Sequence, residues 1–193
     1  MSSSSNTLAL AAFTLVTGLY LRFVKSVGEK EETLPSKIIR PPFPPVIRDM
    51  LSSTRLAYLS TVDDNSSHLS LMRFTFLNDE EDGEVVILTT QRKTKKFNIL
   101  QKQDGVALLI HDFSQQGDGS DGMYSITLNG RCQILPEGEK AEKYRAAHLK
   151  NNKEYSQFIL GDDIAVLVIF VTYARICNIH DQVTKWSVIQ EAS

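Results

Sequence analysis

Only two cysteines, Cys132 and Cys177, occur in 193 residues, far apart and in no metal-ligand spacing. A secreted domain stapled by disulfides would carry more, so free thiols in a reducing, cytoplasmic setting are expected. The four histidines, His68, His111, His148 and His180, are scattered with no two at zinc-ligand spacing, and no metal site is expected. A Walker loop, a dinucleotide fingerprint and a serine or cysteine nucleophile motif are all missing, which leaves no catalytic residue assigned. An excess of positive charge is missing too. The formal net charge of -2 argues against a protein that coats nucleic acid and confines any anion site to a local patch.

Long hydrophobic runs are equally scarce. The uncharged stretch from Thr7 to Leu21, followed by Arg22 and Lys25, is shorter than the ~20 residues a comfortable membrane span needs, although Phe23 and Val24 bring it close. No cations precede it, so it does not have the form of a signal peptide. Two readings stand for residues 1–24: a membrane anchor that leaves the rest of the chain in the cytosol, or an apolar helix packed on the domain or a partner. Residues 25–45, "KSVGEKEETLPSKIIRPPFPP", combine charge with proline and read as a linker. The folded domain is then 46–193, and a hydrophobic content of 42% with 23% charged residues is ordinary for one globular unit.

Within that domain the pattern is mainly β. "VIRDMLSS" reads as a short helix, and "RLAYLSTV", "HLSLMRFTFL", "EVVILTT", "VALLIHD", "MYSITLNGRCQIL" and "DIAVLVIFVTYARICNI" read as strands. Asn129-Gly130 marks either a hairpin or a glycine bulge inside one long strand. Residues 94–103 and "EGEKAEKYRAAHLKNN" read as the two substantial helices, the second carrying Ala141, Tyr144, Ala147 and His148 on one stripe. Six to seven strands with short connections imply an antiparallel sheet that closes on itself to hide its edges, a small β-barrel with a few helices.

The chemistry suggested by the residues is anion binding. Between Val85 and Gln103 there is no acid, while Arg92, Lys93, Lys95 and Lys96 crowd the start of a helix, where the dipole disfavours cations. Arg73 sits on an otherwise apolar strand row with Leu69, Leu71, Thr75 and Leu77. A buried guanidinium requires a partner, which is either a carboxylate in a structural ion pair or a phosphate shared with the basic run and the Thr89 and Thr90 hydroxyls. For any single lysine of the run, a solvated face is the simpler role.

The stretch from Arg55 to Arg131, with "RLAYLSTVDDNSSHLSLMRFTFL", "VVILTTQRKTKKFNIL" and "GVALLIHD", resembles the pyridoxamine 5′-phosphate oxidase-like family of FMN-binding split barrels. That resemblance implies a homodimeric flavoprotein oxidoreductase in which the anion is the phosphate of FMN and a small molecule is the substrate. The family's phosphate-binding positions match Arg73, Leu88-Thr89 and Thr94-Lys95, with Thr94 standing where the family has arginine and Lys93 or Lys96 as substitutes. The position that touches the flavin ring falls near Ser125. In the oxidase itself an Arg-x-His pair holds substrate; here the nearest match is Asn178-Ile179-His180, which lacks the arginine. The resemblance therefore implies FMN binding without efficient pyridoxamine phosphate oxidation. The alternative is a non-catalytic split-barrel dimer whose phosphate pocket is decayed or repurposed.

Overall fold

The computed structural model describes residues 38–64, 66–113 and 123–190. The apolar segment 1–24 and most of the linker lie outside the described residues. Among the described residues no helix is long and apolar enough to cross a membrane.

Eight strands form one antiparallel sheet: β1 (Leu56–Asp63), β2 (Ser66–Arg73), β3 (Thr75–Asp79), β4 (Gly83–Gln91), β5 (Gly105–His111), β6 (Tyr124–Ile134), β7 (Ile164–Asn178) and β8 (Val183–Ser187). Their order is β2-β1-β5-β6-β7-β4-β3, with β8 paired to β7 off that path. The two ends of the path, β2 and β3, are consecutive in the chain and separated by Phe74 alone. A sheet whose opposite edges are joined by one residue has to roll into a barrel. The expected single strand over residues 68–77 is therefore two. Phe74 turns inward with no exposed surface, and its N–H leaves the ladder to donate to Arg55 O at 3.1 Å. That break, together with β8, raises the strand count above the six to seven read from sequence.

The apolar runs of β4 and β7 follow from burial on two faces. Val86 and Leu88 of β4 and Leu167 and Ile169 of β7 point into the barrel core with Phe74, Leu59, Leu108 and Leu128. Val85, Ile87, Val166 and Val168 point the other way, into a second cluster with Ala141 and Tyr144. Those last two belong to α3 (Glu139–Asn151), whereas α1 (Pro45–Ser53) buries Ile47, Met50 and Leu51 in the barrel core. Arg145 rather than Ala147 completes the fully buried stripe of α3. The acidic turn after β3 secures this helix. Asp79 pairs with Lys143 at 2.6 Å, Asp82 pairs with Lys140 at 2.7 Å, and Tyr144 Oη donates to Asp82 at 2.6 Å. The Lys143 ammonium and two backbone N–H groups outweigh burial and hold the Asp79 carboxyl down at about 2.

Asn129-Gly130 is a bulge within β6, not a hairpin, because the β6–β7 register shifts between those two residues. Glycine is required there by close approach: a Cβ at Gly130 would lie 2.3 Å from Phe170 O on β7. Gly130→Ala is expected to cost about 1–3 kcal/mol by forcing the two strands apart. Gly105→Ala, with nothing within 4 Å of its Cβ position, should stay within about 0.5 kcal/mol of wild type. Urea denaturation midpoints compare the two.

Candidate functional site

A cleft of about 410 Å³ opens where β2 ends, β4 ends and α2 (Lys95–Leu100) begins, and the C-terminal end of α3 with the following 3₁₀ turn (Lys153–Phe158) forms its far wall. Arg73, Thr89, Thr90, Thr94 and Lys96 line it together with His148 and Tyr155, against apolar surface from Leu56, Leu71, Phe158 and Ile159. The sheet accounts for this convergence. β4 and β2 approach each other because the barrel closes through Phe74, and α3 lies on the outer face of β4.

The basic run divides into three roles. Arg92 pairs with Glu137, and Lys93 pairs with Asp163 at 2.8 Å, so these two cations tie the β4–α2 turn to neighbouring segments. Lys95 is exposed and does not line the cleft. Lys96 is half-buried there, its Nζ donating to Thr90 Oγ1 at 3.5 Å, and burial lowers its pKa from the ordinary lysine value. The sequence reading takes Lys95 as the retained cation and Lys96 as a substitute, and the structure turns Lys96 into the cleft instead. The phase of the first turn after the Thr94 cap decides which lysine turns inward.

The threonine hydroxyls are engaged within the protein. Thr94 Oγ1 donates to Gln91 O at 2.8 Å and accepts the Phe97 N–H at 3.4 Å, capping α2. With that proton committed, Thr90 Oγ1 is the donor across the 3.1 Å contact to Thr94 Oγ1. Thr89 Oγ1 donates to Phe158 O at 2.9 Å. The charged donors left to meet an anion in the cleft are then the ammonium of Lys96 and the guanidinium of Arg73.

Arg73 is half-buried, and among the described residues no carboxylate pairs with it. Its guanidinium carbon lies 3.4 Å from the centroid of the Tyr155 ring, and Nη1 donates to Asn152 Oδ1 at 3.4 Å. Behind them, Asn152 Nδ2 donates to His148 O at 3.1 Å and to Thr75 Oγ1 at 3.3 Å, while Thr75 Oγ1 and His148 Nδ1 lie 2.9 Å apart. Burial, with the Arg73 charge nearby, pushes His148 down to about 4, so the ring is neutral at physiological pH.

The remaining sequence-derived positions lie elsewhere. Leu88 is wholly buried in the barrel core and does not line the cleft. Ser125, half-exposed on β6, pairs with His111 and Cys177 and does not line the cleft. Asn178 shapes the β7–β8 turn, its Oδ1 accepting from the N–H groups of His180 and Gln182, each at 3.0 Å. Sequence reasoning missed Asn152 and Tyr155 altogether and took His148 as part of a packing stripe. A histidine facing inward one turn before a buried asparagine was the available signal.

A rolled antiparallel barrel with a cationic cleft at a strand-to-helix turn defines the class as a split barrel. The chain belongs to the pyridoxamine 5′-phosphate oxidase family, whose profile matches residues 43–176. A Schizosaccharomyces pombe protein described as a pyridoxamine 5′-phosphate oxidase homolog is 30% identical over 172 residues, covering 75% of this chain and 90% of that one. A heme-binding protein from Mycobacterium smegmatis superposes with a TM-score of 0.64 at 21% identity, over 77% of this chain and 59% of that chain, so this chain spans less than two thirds of it. An FAD-binding protein from Mesorhizobium loti superposes with a TM-score of 0.55 at 14% identity, over 74% of this chain and 97% of that chain. At these identities the two structures attest the fold alone.

The His148 network makes stability depend on pH. The unfolded chain binds the histidine proton near the ordinary 6.5 and the folded chain only near 4, so the contribution is whole above about pH 6.5 and is lost as pH falls toward 4. Across that window the loss should be on the order of 3 kcal/mol. His148→Gln should show a shallower decline between pH 7 and 4.5 in urea denaturation.

Proposed function

We propose that this chain is an FMN-dependent oxidoreductase of a small substrate, with Arg73 and Lys96 holding the flavin mononucleotide phosphate. The observation that carries this reading is the pairing pattern. Arg92 and Lys93 are satisfied by acids, whereas Arg73 and Lys96 face one cleft with no carboxylate partner among the described residues. A dianionic phosphate fits two half-buried cations, and the apolar wall of Leu56, Leu71 and Phe158 fits the rest of a planar ligand. Family membership and the FAD-binding barrel from Mesorhizobium loti support a flavin.

Bound FMN would supply the hydride-accepting centre. The protein's part is to grip the phosphate, orient the ring and exclude water, which accords with the absence of an acid–base dyad among the cleft residues. In this reading the protein works as a homodimer. Leu56 and Tyr58 of β1, Leu69 and Leu71 of β2, and Leu109 of β5 leave apolar surface exposed beside the cleft, Leu69 at 63% and Leu71 at 56%, and a second copy covers it. The non-catalytic alternative is favoured if freshly purified protein is colourless and takes up no added FMN.

Each charge-assisted hydrogen bond contributes ~1.5–3 kcal/mol, roughly one to two powers of ten in affinity. Arg73→Ala and Lys96→Ala should each weaken FMN by that factor while leaving riboflavin, which has the ring without the phosphate, nearly unchanged. Thr89→Val, Lys95→Ala and Lys102→Ala should do little. Fluorescence titration of each folded apo-variant decides, and equal losses for both ligands would mean that the cations only support the fold. Because Asn178 stands where the oxidase has arginine, the FMN-loaded protein is expected to turn over pyridoxamine 5′-phosphate barely or not at all, measured as pyridoxal 5′-phosphate formed per flavin.

A further inference from the structure

We infer that Asn152 and Tyr155 are positioning residues for Arg73, a role that rests on the phosphate-clamp reading above and extends it to the wall behind the arginine. A guanidinium carries five N–H donors in a rigid plane, and its value to an anion depends on which of them are free and where they point. Here one face is covered by the Tyr155 ring, 3.4 Å from the guanidinium carbon to the ring centroid. One donor, on Nη1, is directed to Asn152 Oδ1. The cleft lies beside the remaining donors, since Arg73 lines it.

Asn152 can hold only one orientation. It has no exposed surface, and its Nδ2 is committed to His148 O and Thr75 Oγ1. Flipping the amide would turn N–H groups toward a guanidinium that only donates, and would set Oδ1 against the His148 carbonyl. The Oδ1 dipole is therefore fixed toward Arg73 by the His148 carbonyl and the Thr75 hydroxyl. Every partner in this wall is uncharged: an amide, a phenol ring, a threonine hydroxyl and a neutral imidazole. The full positive charge of Arg73 thus stays available to the cleft. A carboxylate in the same place would orient the guanidinium equally well and cancel its charge.

That contrast supplies the test, made on the full-length chain with FMN and riboflavin as the two probes. Asn152→Asp has nearly the same shape and retains an oxygen facing Arg73, so it should lower FMN affinity at least tenfold and leave riboflavin affinity unchanged. Tyr155→Leu, which removes the ring, should lower FMN affinity several-fold, and Tyr155→Phe, which keeps it, should match wild type. In an Arg73→Ala background, Asn152→Asp should have no further effect, because the group it acts through is gone. Far-UV circular dichroism and melting temperature establish that each variant is folded. If Asn152→Asp fails to fold, Asn152→Ser and the Tyr155 pair carry the same comparison. FMN binding that depends on Arg73 but is indifferent to Asn152→Asp and Tyr155→Leu overturns the positioning role while the phosphate clamp stands. Equal losses for FMN and riboflavin also overturn it, since they mark a structural role. Wild-type protein that binds neither ligand overturns the clamp and the positioning role together.

Discussion

Strand β4 is buried on both faces, and the whole cleft takes its position from that constraint. Val86 and Leu88 fill the barrel, while Val85 and Ile87 support α3 on the outside. A strand buried on both sides tolerates only apolar residues until it leaves cover, so polarity can begin only at its end. After the apolar run from Val85 to Leu88 the next side chains are Thr89 and Thr90, and they are still almost fully buried. The chain then turns directly into α2. The cleft is lined by the end of this strand, by β2 and the start of β1 where the barrel closes, by α3 and the 3₁₀ turn across it, and by α2 after it.

The charged residues serve that arrangement in two separate ways. Acids in the turn after β3 dock α3 through Lys140, Lys143 and Tyr144, which places the far end of the helix, with His148 and Asn152, behind Arg73. Acids at Glu137 and Asp163 fasten Arg92 and Lys93, which fixes the turn that presents Lys96. The Arg92 and Lys93 pairs are largely exposed and individually contribute little to stability, whereas Asp79 and Asp82 are largely withdrawn from solvent. Their effect is geometric, because each removes one way for the cleft walls to move. A net charge of -2 is compatible with a local cationic site because no acidic side chain is among the residues that line the cleft.

The fold was legible because hydrophobic periodicity is a strong signal wherever one face is core. The strands of the barrel and the long helix before the last long strand announce themselves in this way, whereas at Asn129-Gly130 the pattern left a hairpin and a bulge equally open. What the pattern could not show was the break at Phe74. A strand that crosses from one sheet edge to the other remains apolar throughout, so its periodicity continues across the break. At the site, Arg73 stood out because a cation in an apolar row demands a partner. The choice between Lys95 and Lys96 depends on one residue of helical phase, and four cations within five residues give periodicity nothing to act on. Asn152 and Tyr155 were invisible because their relation to Arg73 spans some eighty positions and is set only when α3 docks.

Arg145 shows why the surroundings of Arg73 matter more than its burial. Both arginines are withdrawn from solvent, Arg145 within α3 and Arg73 beside its C-terminal end. Arg145 donates to the carbonyls of Ile159 and Ile164 at 2.8 and 3.2 Å and to Glu142 at 3.1 Å, with Glu137 a further 3.6 Å contact. Its charge is met by carboxylates and its donors by backbone, so it braces the segment between α3 and β7 and offers little to a ligand. Arg73 has an aromatic face and one amide oxygen instead. Leaving a half-buried cation so poorly matched has a desolvation cost, and packing alone would have removed it by placing an apolar residue in that strand row. The cost persists where an external anion completes the site. On the phosphate-clamp proposal, the residues that withhold a countercharge, Asn152, Tyr155 and neutral His148, are therefore part of the proposed site as much as the cations are.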